Sequence, residues 1–117
     1  MMRFMYVLVA EKPMLPNPPL REAIGKLAER EIAAGRMLDT GALLPRTAGA
    51  EVKIKDRKLT VTDGPFMEAK EVVGGYAVFE LKDKEEAVAR AVEFMQLHLD
   101  HMPDWELSCE VRPFMEC

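Results

Sequence analysis

The opening segment MMRFMYVLVA constrains the fold more than any other stretch. Side chains alternate faces along an extended chain. From Met2 to Ala10 this puts Phe4, Tyr6 and Leu8 on one face and Met5, Val7 and Val9 on the other. A strand with large apolar residues on both faces needs cover on both sides, as at the centre of a sheet. The segment VVGGYAVFEL, residues 72–81, has the same character.

The rest of the chain supplies the partners. Pro13, Pro16, Pro18 and Pro19 make a loop, in which Asn17 is placed to cap a helix with Pro18 at its first position. That helix carries Leu20, Ile24 and Leu27 on one stripe, and Gly35 is a natural stop. Met37 to Leu44 reads as a second strand ended by Pro45. The pieces EVKIK and KLTVT alternate, with Val52, Ile54, Leu59 and Val61 in one phase. The Asp56-Arg57 turn joins them into a β-hairpin without the usual glycine.

Asp83 caps a second helix, with Glu86 in capping-box position. Its spacing predicts a buried stripe of Val88, Ala91, Val92, Met95 and Leu99, with His98 on the adjacent stripe of Ala87, Ala91 and Phe94. The closing strand WELSCEVRPF turns Leu107, Cys109 and Val111 to one face and Glu106, Ser108, Glu110 and Arg112 to the other.

The order is β-α-β, hairpin, β-α-β, an α+β pattern. Two helices cover only one face of a sheet of this size. The second face of the central strands therefore calls for a second layer, and a homodimer with its sheets face to face is the economical expectation. A monomer with an open apolar sheet is disfavoured by solubility, and a different partner protein is the remaining alternative.

Length and charge narrow the class. A chain of 117 residues points to a single domain, residues 1–117, that buries roughly two-thirds of the surface its unfolded form exposes. Apolar residues at 49% and charged ones at 31% exclude a disordered chain. The net charge of −4, with Lys and Arg scattered among acids, argues against a nucleic-acid surface. The apolar run of the first strand is short, is followed at once by Glu11 and Lys12, and lacks a cleavage site, so it is not read as a signal sequence. No stretch approaches the roughly 20 apolar residues that span a bilayer. The two cysteines, Cys109 and Cys117, form neither a disulfide framework nor a zinc pattern, which favours a reducing cytoplasm.

The stretch TDGPFMEAKEVVGGY, residues 62–76, is harder to explain as ordinary fold. Asp63-Gly64-Pro65-Phe66, followed by Glu68, Lys70-Glu71 and Gly75, resembles the signature DGPFxExKE…G of the DGPF-type branch of the YCII-related proteins. The likeness runs over nearly the whole chain, including GRMLDTGALLP, TVTDGPF, His98 and WELSCEVRPF. It implies a ferredoxin-like α+β domain, βαβ-βαβ with an added hairpin, that dimerises into an α+β barrel. Related YCII-like proteins are thought to use a His–Asp pair in a cleft, and one relative eliminates chloride from a chlorinated aromatic intermediate. This chain departs from the simpler His–Asp pattern, since its histidines, His98 and His101, both lie late.

Each candidate residue has a plainer reading beside its functional one. Asp63 suits a general base at a cleft mouth, yet Asp-Gly is above all a turn signal and an Asx-type turn explains it. Glu68 and Glu71 would share a face if Pro65 starts a helical turn, raising one pKa, with Lys70 to neutralise a carboxylate or hold an anion. The alternative is a solvated charged turn. His98 is able to shuttle protons near neutral pH, or to interact with the last carbonyls of its helix. Tyr76 either bonds a ligand or packs with its hydroxyl at a rim. His98, Asp100 and His101 lack a third strong ligand at matching spacing, so no metal is expected. Cys109 is expected to be an inert buried thiol. No phosphate-binding glycine loop is present.

Two functions follow from these residues. The first is a cofactor-free enzyme on a small organic molecule, with Asp63 and His98 in acid–base roles and Glu68, Lys70, Glu71 and Tyr76 holding the substrate. The second is a non-catalytic module that binds a small molecule or docks a protein.

Overall fold

The computed structural model describes residues 1–12, 14–63 and 72–116. Strand β1 (Met2–Ala10) leads to helix α1 (Pro18–Ala33) and strand β2 (Met37–Ala42). A 3-10 turn (Arg46–Ala48) precedes the hairpin of β3 (Ala50–Lys55) and β4 (Lys58–Asp63). Then come β5 (Val72–Leu81), α2 (Lys84–His101) and β6 (Leu107–Pro113).

The local signals work as chemistry requires. Asn17 has extended backbone, and its Oδ1 accepts the Leu20 N–H at 2.9 Å, filling one of the donors a helix start leaves orphaned. Beyond the end of α1, Gly35 takes φ +73°, which lets the chain reverse. Asp83 Oδ1 accepts the Glu86 N–H at 2.9 Å, and Glu86 reaches back to the Lys82 N–H at 3.4 Å, one residue earlier than in the usual box. The hairpin turn puts both Asp56 and Arg57 at positive φ, the type I′ geometry that matches strand twist, here without glycine.

The strands β2-β5-β1-β6 form a four-stranded sheet in that order, with every neighbour antiparallel. β5 fills the gap between β1 and β2, and β1 lies between β5 and β6. This interleaving of two βαβ units is the ferredoxin-like arrangement. β3 and β4 pair with each other in a separate two-stranded sheet. The register between β1 and β5 shifts at Gly74, so that Leu8 pairs with Gly75 and Val9 with Val73. A glycine in a strand suits such a bulge. β2 ends at Ala42 rather than Leu44, although the Leu43 N–H still reaches the Gly74 carbonyl at 3.0 Å.

The core gathers Phe4 and Tyr6 from β1, Phe79 and Leu81 from β5, and Ala87 and Ala91 from α2. The Tyr6 and Phe79 rings stack at 4.8 Å. Cys109 and Val111 of β6 pack against this cluster, as their strand phase predicts. On the other face Met5, Val7 and Val78 are only half-buried. Among the described residues no helix is long and apolar enough to cross a membrane.

The predicted stripe of α2 is only partly right. Ala91 is buried and Met95 half-buried, but Val88, Val92 and Leu99 are exposed, and Ala87 and His98 are buried in their place. Alanine is the reason. Two small side chains let the helix backbone approach β1 until the Tyr6 hydroxyl donates to the Ala87 carbonyl. That contact turns the larger aliphatic residues outward, beside β6.

Candidate functional site

A cleft of about 730 Å³ opens between α1, α2 and the sheet. Tyr6, Leu8 and Phe79 supply its floor, and Ile24, Leu27 and Phe94 its helical walls. The wall is mostly apolar, which suits a small organic ligand. Four polar side chains on it matter for chemistry: His98, Glu31, Arg90 and Tyr6.

His98 sits in the last turn of α2 and is 2% exposed. Its Nδ1 lies 3.0 Å from the Phe94 carbonyl oxygen, one turn back. A carbonyl only accepts, so Nδ1 carries the hydrogen and donates, leaving Nε2 with its lone pair. The ring meets Phe94 edge-on at 4.7 Å, with Trp105 at 5.7 Å. Among the described residues, the buried side-chain nitrogen and oxygen atoms without a hydrogen-bond partner are His98 Nε2 and Arg90 Nε. Burial pushes the His98 pKa below its ordinary 6.5, against the smaller opposing effect of the Phe94 carbonyl. The imidazole is therefore neutral at neutral pH, with the Nε2 lone pair free.

Glu31 is a second buried titratable group, 1% exposed. Its Oε1 accepts from Arg90 at 2.7 Å and from Arg30 at 3.0 Å, and its Oε2 accepts from Arg36. Burial alone would raise this carboxyl. The hydrogen bonds from Arg36 and Arg30, with the charge of Arg90, nonetheless hold it below the usual carboxylate range. The Tyr6 hydroxyl is committed to Ala87, and burial raises its pKa above the ordinary 10. Cys109 is half-buried rather than fully buried, and burial pushes its thiol up to about 11, so it is a poor nucleophile. Trp105 Nε1 donates to the Lys12 carbonyl at 3.2 Å and ties the loop after β1 to the end of α2.

The residues singled out in the sequence fall in different places. His98 is on the cleft wall. Asp63 ends β4, is exposed, and is not among the residues lining the cleft. Tyr76 contributes to the cleft at its β2 side, where its hydroxyl donates to Asp39 Oδ2 at 3.1 Å. Glu68, Lys70 and Glu71 lie outside the described residues, as do Gly64, Pro65 and Phe66. Val72 and Val73, at the start of β5, belong to the cleft wall.

The Glu31 cluster was missed at the sequence level, although a signal existed. Glu31 continues the apolar stripe of Leu20, Ile24 and Leu27 at helical spacing, and an acid on a buried stripe calls for cations. Two of its arginines, Arg30 and Arg36, were close in sequence, but Arg90 lies on the other helix. Among the described residues no group of three or more His, Cys, Asp or Glu side chains is arranged to hold a metal ion.

A search of curated proteins finds no match. The family model of the YCII-related domain matches residues 2–94, which span both central strands, α1, the hairpin and most of α2. A fold of two interleaved βαβ units carrying one enclosed histidine thus acquires its lineage: the chain belongs to the YCII-related family.

Proposed function

We propose that the cleft receives a small, mainly apolar organic molecule and that His98 performs acid–base chemistry on it without a cofactor. The observation carrying this reading is the His98 Nε2 atom: buried, unbonded, and on the wall of an apolar cleft. A buried acceptor without a partner costs stability, and active sites are where such costs are retained. The Nδ1–H bond to Phe94 holds the tautomer, so Nε2 is the atom that takes a proton from the substrate and later returns it.

The other candidate groups enter the proposal around the cleft mouth. Asp63 is the second acid–base group. Glu68, Lys70, Glu71 and Tyr76 hold the substrate, because the segment that carries most of them rejoins the sheet on the cleft wall at Val72 and Val73. The DGPF run, residues 63–66, supports membership of that branch of its family. The working form is a cytoplasmic homodimer, its half-buried Met5, Val7 and Val78 face covered by the sheet of a second copy.

The test is a thermal-shift screen of small organic acids, aromatics and hydroxylated compounds on the wild type, His98→Gln and Asp63→Asn. The expected hit stabilises all three proteins and is consumed by the wild type. Turnover then falls roughly 100-fold or more in His98→Gln, the usual scale for removing a general base. Equal turnover in His98→Gln would sink the assignment.

A second reading has its own support. Among the cleft's polar groups, Tyr6 is committed to a carbonyl and Glu31 is saturated by arginines, which leaves few groups free for chemistry. A hit that stabilises the wild type and is never consumed identifies a binding module.

A further inference from the structure

Among the described residues the cleft wall carries three charged side chains: Arg21, Glu31 and Arg90. Glu31 and Arg90 neutralise each other, since Arg90 Nη1 donates to Glu31 Oε1 at 2.7 Å. Glu31 also takes hydrogen bonds from Arg30 and Arg36. Arg21 is different. Among the described residues it meets no carboxylate, and its side chain makes one hydrogen bond, from Nη2 to the Pro16 carbonyl at 3.1 Å. A guanidinium has five N–H donors, so most of this one is uncommitted.

The position of Arg21 matters as much as its charge. Asn17, one turn before it, donates from Nδ2 to the His101 carbonyl at 3.0 Å, and its backbone N–H reaches Met102 Sδ at 3.3 Å. The start of α1 is thereby pinned to the end of α2. Arg21 lies in the first turns of α1, and His98 lies one turn back from Met102, whose N–H bonds the His98 carbonyl. Both side chains therefore belong to the same end of the cleft. The Glu31–Arg90 pair lies toward the other end, because Arg90 precedes His98 by eight residues of α2, a rise of about 12 Å. The His98 end thus joins a buried neutral ring, its Nε2 unpartnered, to a cation that no carboxylate of the wall offsets.

Taking the cleft as the ligand site proposed above, we infer that Arg21 binds a carboxylate and that the ligands are small organic acids. The apolar body lies along the wall, and the acid head sits at Arg21, at the end that holds His98.

The start of α1 selects a carboxylate over a phosphate. Phosphate sites at helix starts use free backbone N–H groups. Here Pro18 and Pro19 have none, the Leu20 N–H is held by Asn17 Oδ1, and the Arg21 N–H by the Asn17 carbonyl. What remains is one guanidinium, whose planar fork matches a single carboxylate in charge and geometry. Its surroundings strengthen the attraction. Met14, Leu15, Pro16 and Ile24 also line the cleft, and apolar neighbours screen a charge less than water does.

The probe is 4-phenylbutanoate, compared with its uncharged amide by isothermal titration calorimetry on the full chain near neutral pH. The acid should bind at least about 10-fold more tightly than the amide, the scale of a hydrogen bond between charged partners. Arg21→Gln should bring the acid down to the affinity of the amide and leave amide binding unchanged, which also shows that the variant is folded. Arg21→Lys, which keeps the charge without the fork, should fall between. Lys26→Gln removes an exposed cation of the same helix that pairs with Glu22, and should change neither affinity. Equal affinity for acid and amide overturns the inference. So does failure of both to bind, or an acid preference that persists in Arg21→Gln. The two proposals fail separately. A neutral compound consumed through His98 and indifferent to Arg21→Gln ends the Arg21 assignment and leaves the acid–base role of His98 intact. Acid binding through Arg21, with equal turnover in wild type and His98→Gln, does the reverse.

Discussion

His98 Nδ1 donates to the carbonyl oxygen of Phe94 at 3.0 Å, while Nε2 of the same ring has no hydrogen-bond partner. Both facts follow from position. An i−4 carbonyl is within reach of an imidazole on the same helix face, and a carbonyl oxygen has a second lone pair to accept it. The bond fixes the ring, and Phe94 and Trp105 shield its other side.

This burial gives the protein a pH dependence with a definite sign. The folded pKa of His98 is lower than the ordinary 6.5, so the unfolded chain takes up the proton first as pH falls. The contribution of the neutral ring is complete above pH 6.5. It declines as pH drops from 6.5 toward the folded value. Urea midpoints at pH 7.5, 6.5 and 5.5 check this: the wild type loses stability across the series, and His98→Gln gives a flatter profile.

Glu31 predicts a second, more acidic transition. Its carboxyl is held below the usual 4.5, so its contribution is complete above pH 4.5 and lost as pH falls through the folded value. Removing one member of a buried ion cluster typically costs 3–5 kcal/mol. Here the three arginine side chains are 25–50% exposed and regain water, so Glu31→Gln should cost about 2–3 kcal/mol. Chemical denaturation at pH 7 measures the loss, and a repeat at pH 3.5 should show a smaller gap between the two proteins.

Tyr76 and Gly41 are paired across β5 and β2, and the ring lies so close that a Cβ at Gly41 would sit 2.9 Å from Tyr76 Cε1. The Tyr76 hydroxyl donates to Asp39, and that bond and the carboxylate charge raise its pKa above 10. Spectrophotometric titration should therefore find neither tyrosine ionising at the ordinary value. In Asp39→Asn, one of the two moves down toward 10. Gly41→Val displaces the ring and produces the same downward shift.

Asn17 serves two helices at once. Its Oδ1 caps α1, and its Nδ2 donates to the His101 carbonyl at the end of α2 at 3.0 Å. Asn17→Ala should lose about 1 kcal/mol for the cap alone. Asn17→Asp keeps the cap acceptor but loses the donor. Thermal melts should rank the wild type first, Asn17→Asp second and Asn17→Ala last.

Much of this architecture was legible because its causes are local. The two-sided apolar pattern of β1 and β5, the caps at Asn17 and Asp83, the stop at Gly35 and the Asp56-Arg57 hairpin all depend on neighbours within a few residues. Strand periodicity by itself also puts Cys109 and Val111 on the core side, where both pack against the core cluster. A helix has several stripes, however, and composition alone favoured the bulkier one on α2. Only the approach of Ala87 to Tyr6 decided which stripe is buried.

The site shows the same division. Sequence singled out His98 as a candidate for proton transfer because histidine is the side chain whose ordinary pKa lies near neutral pH. The tautomer, the burial and the unpaired Nε2 required the helix to be placed against the sheet. Glu31 acquires Arg90 from a residue 59 positions away, and the cleft joins walls from both halves of the chain. Local chemistry determined which elements form and where they begin and end. Packing of distant elements alone decided what they enclose, since burial and charge pairing depend on neighbours in space that no sequence window contains.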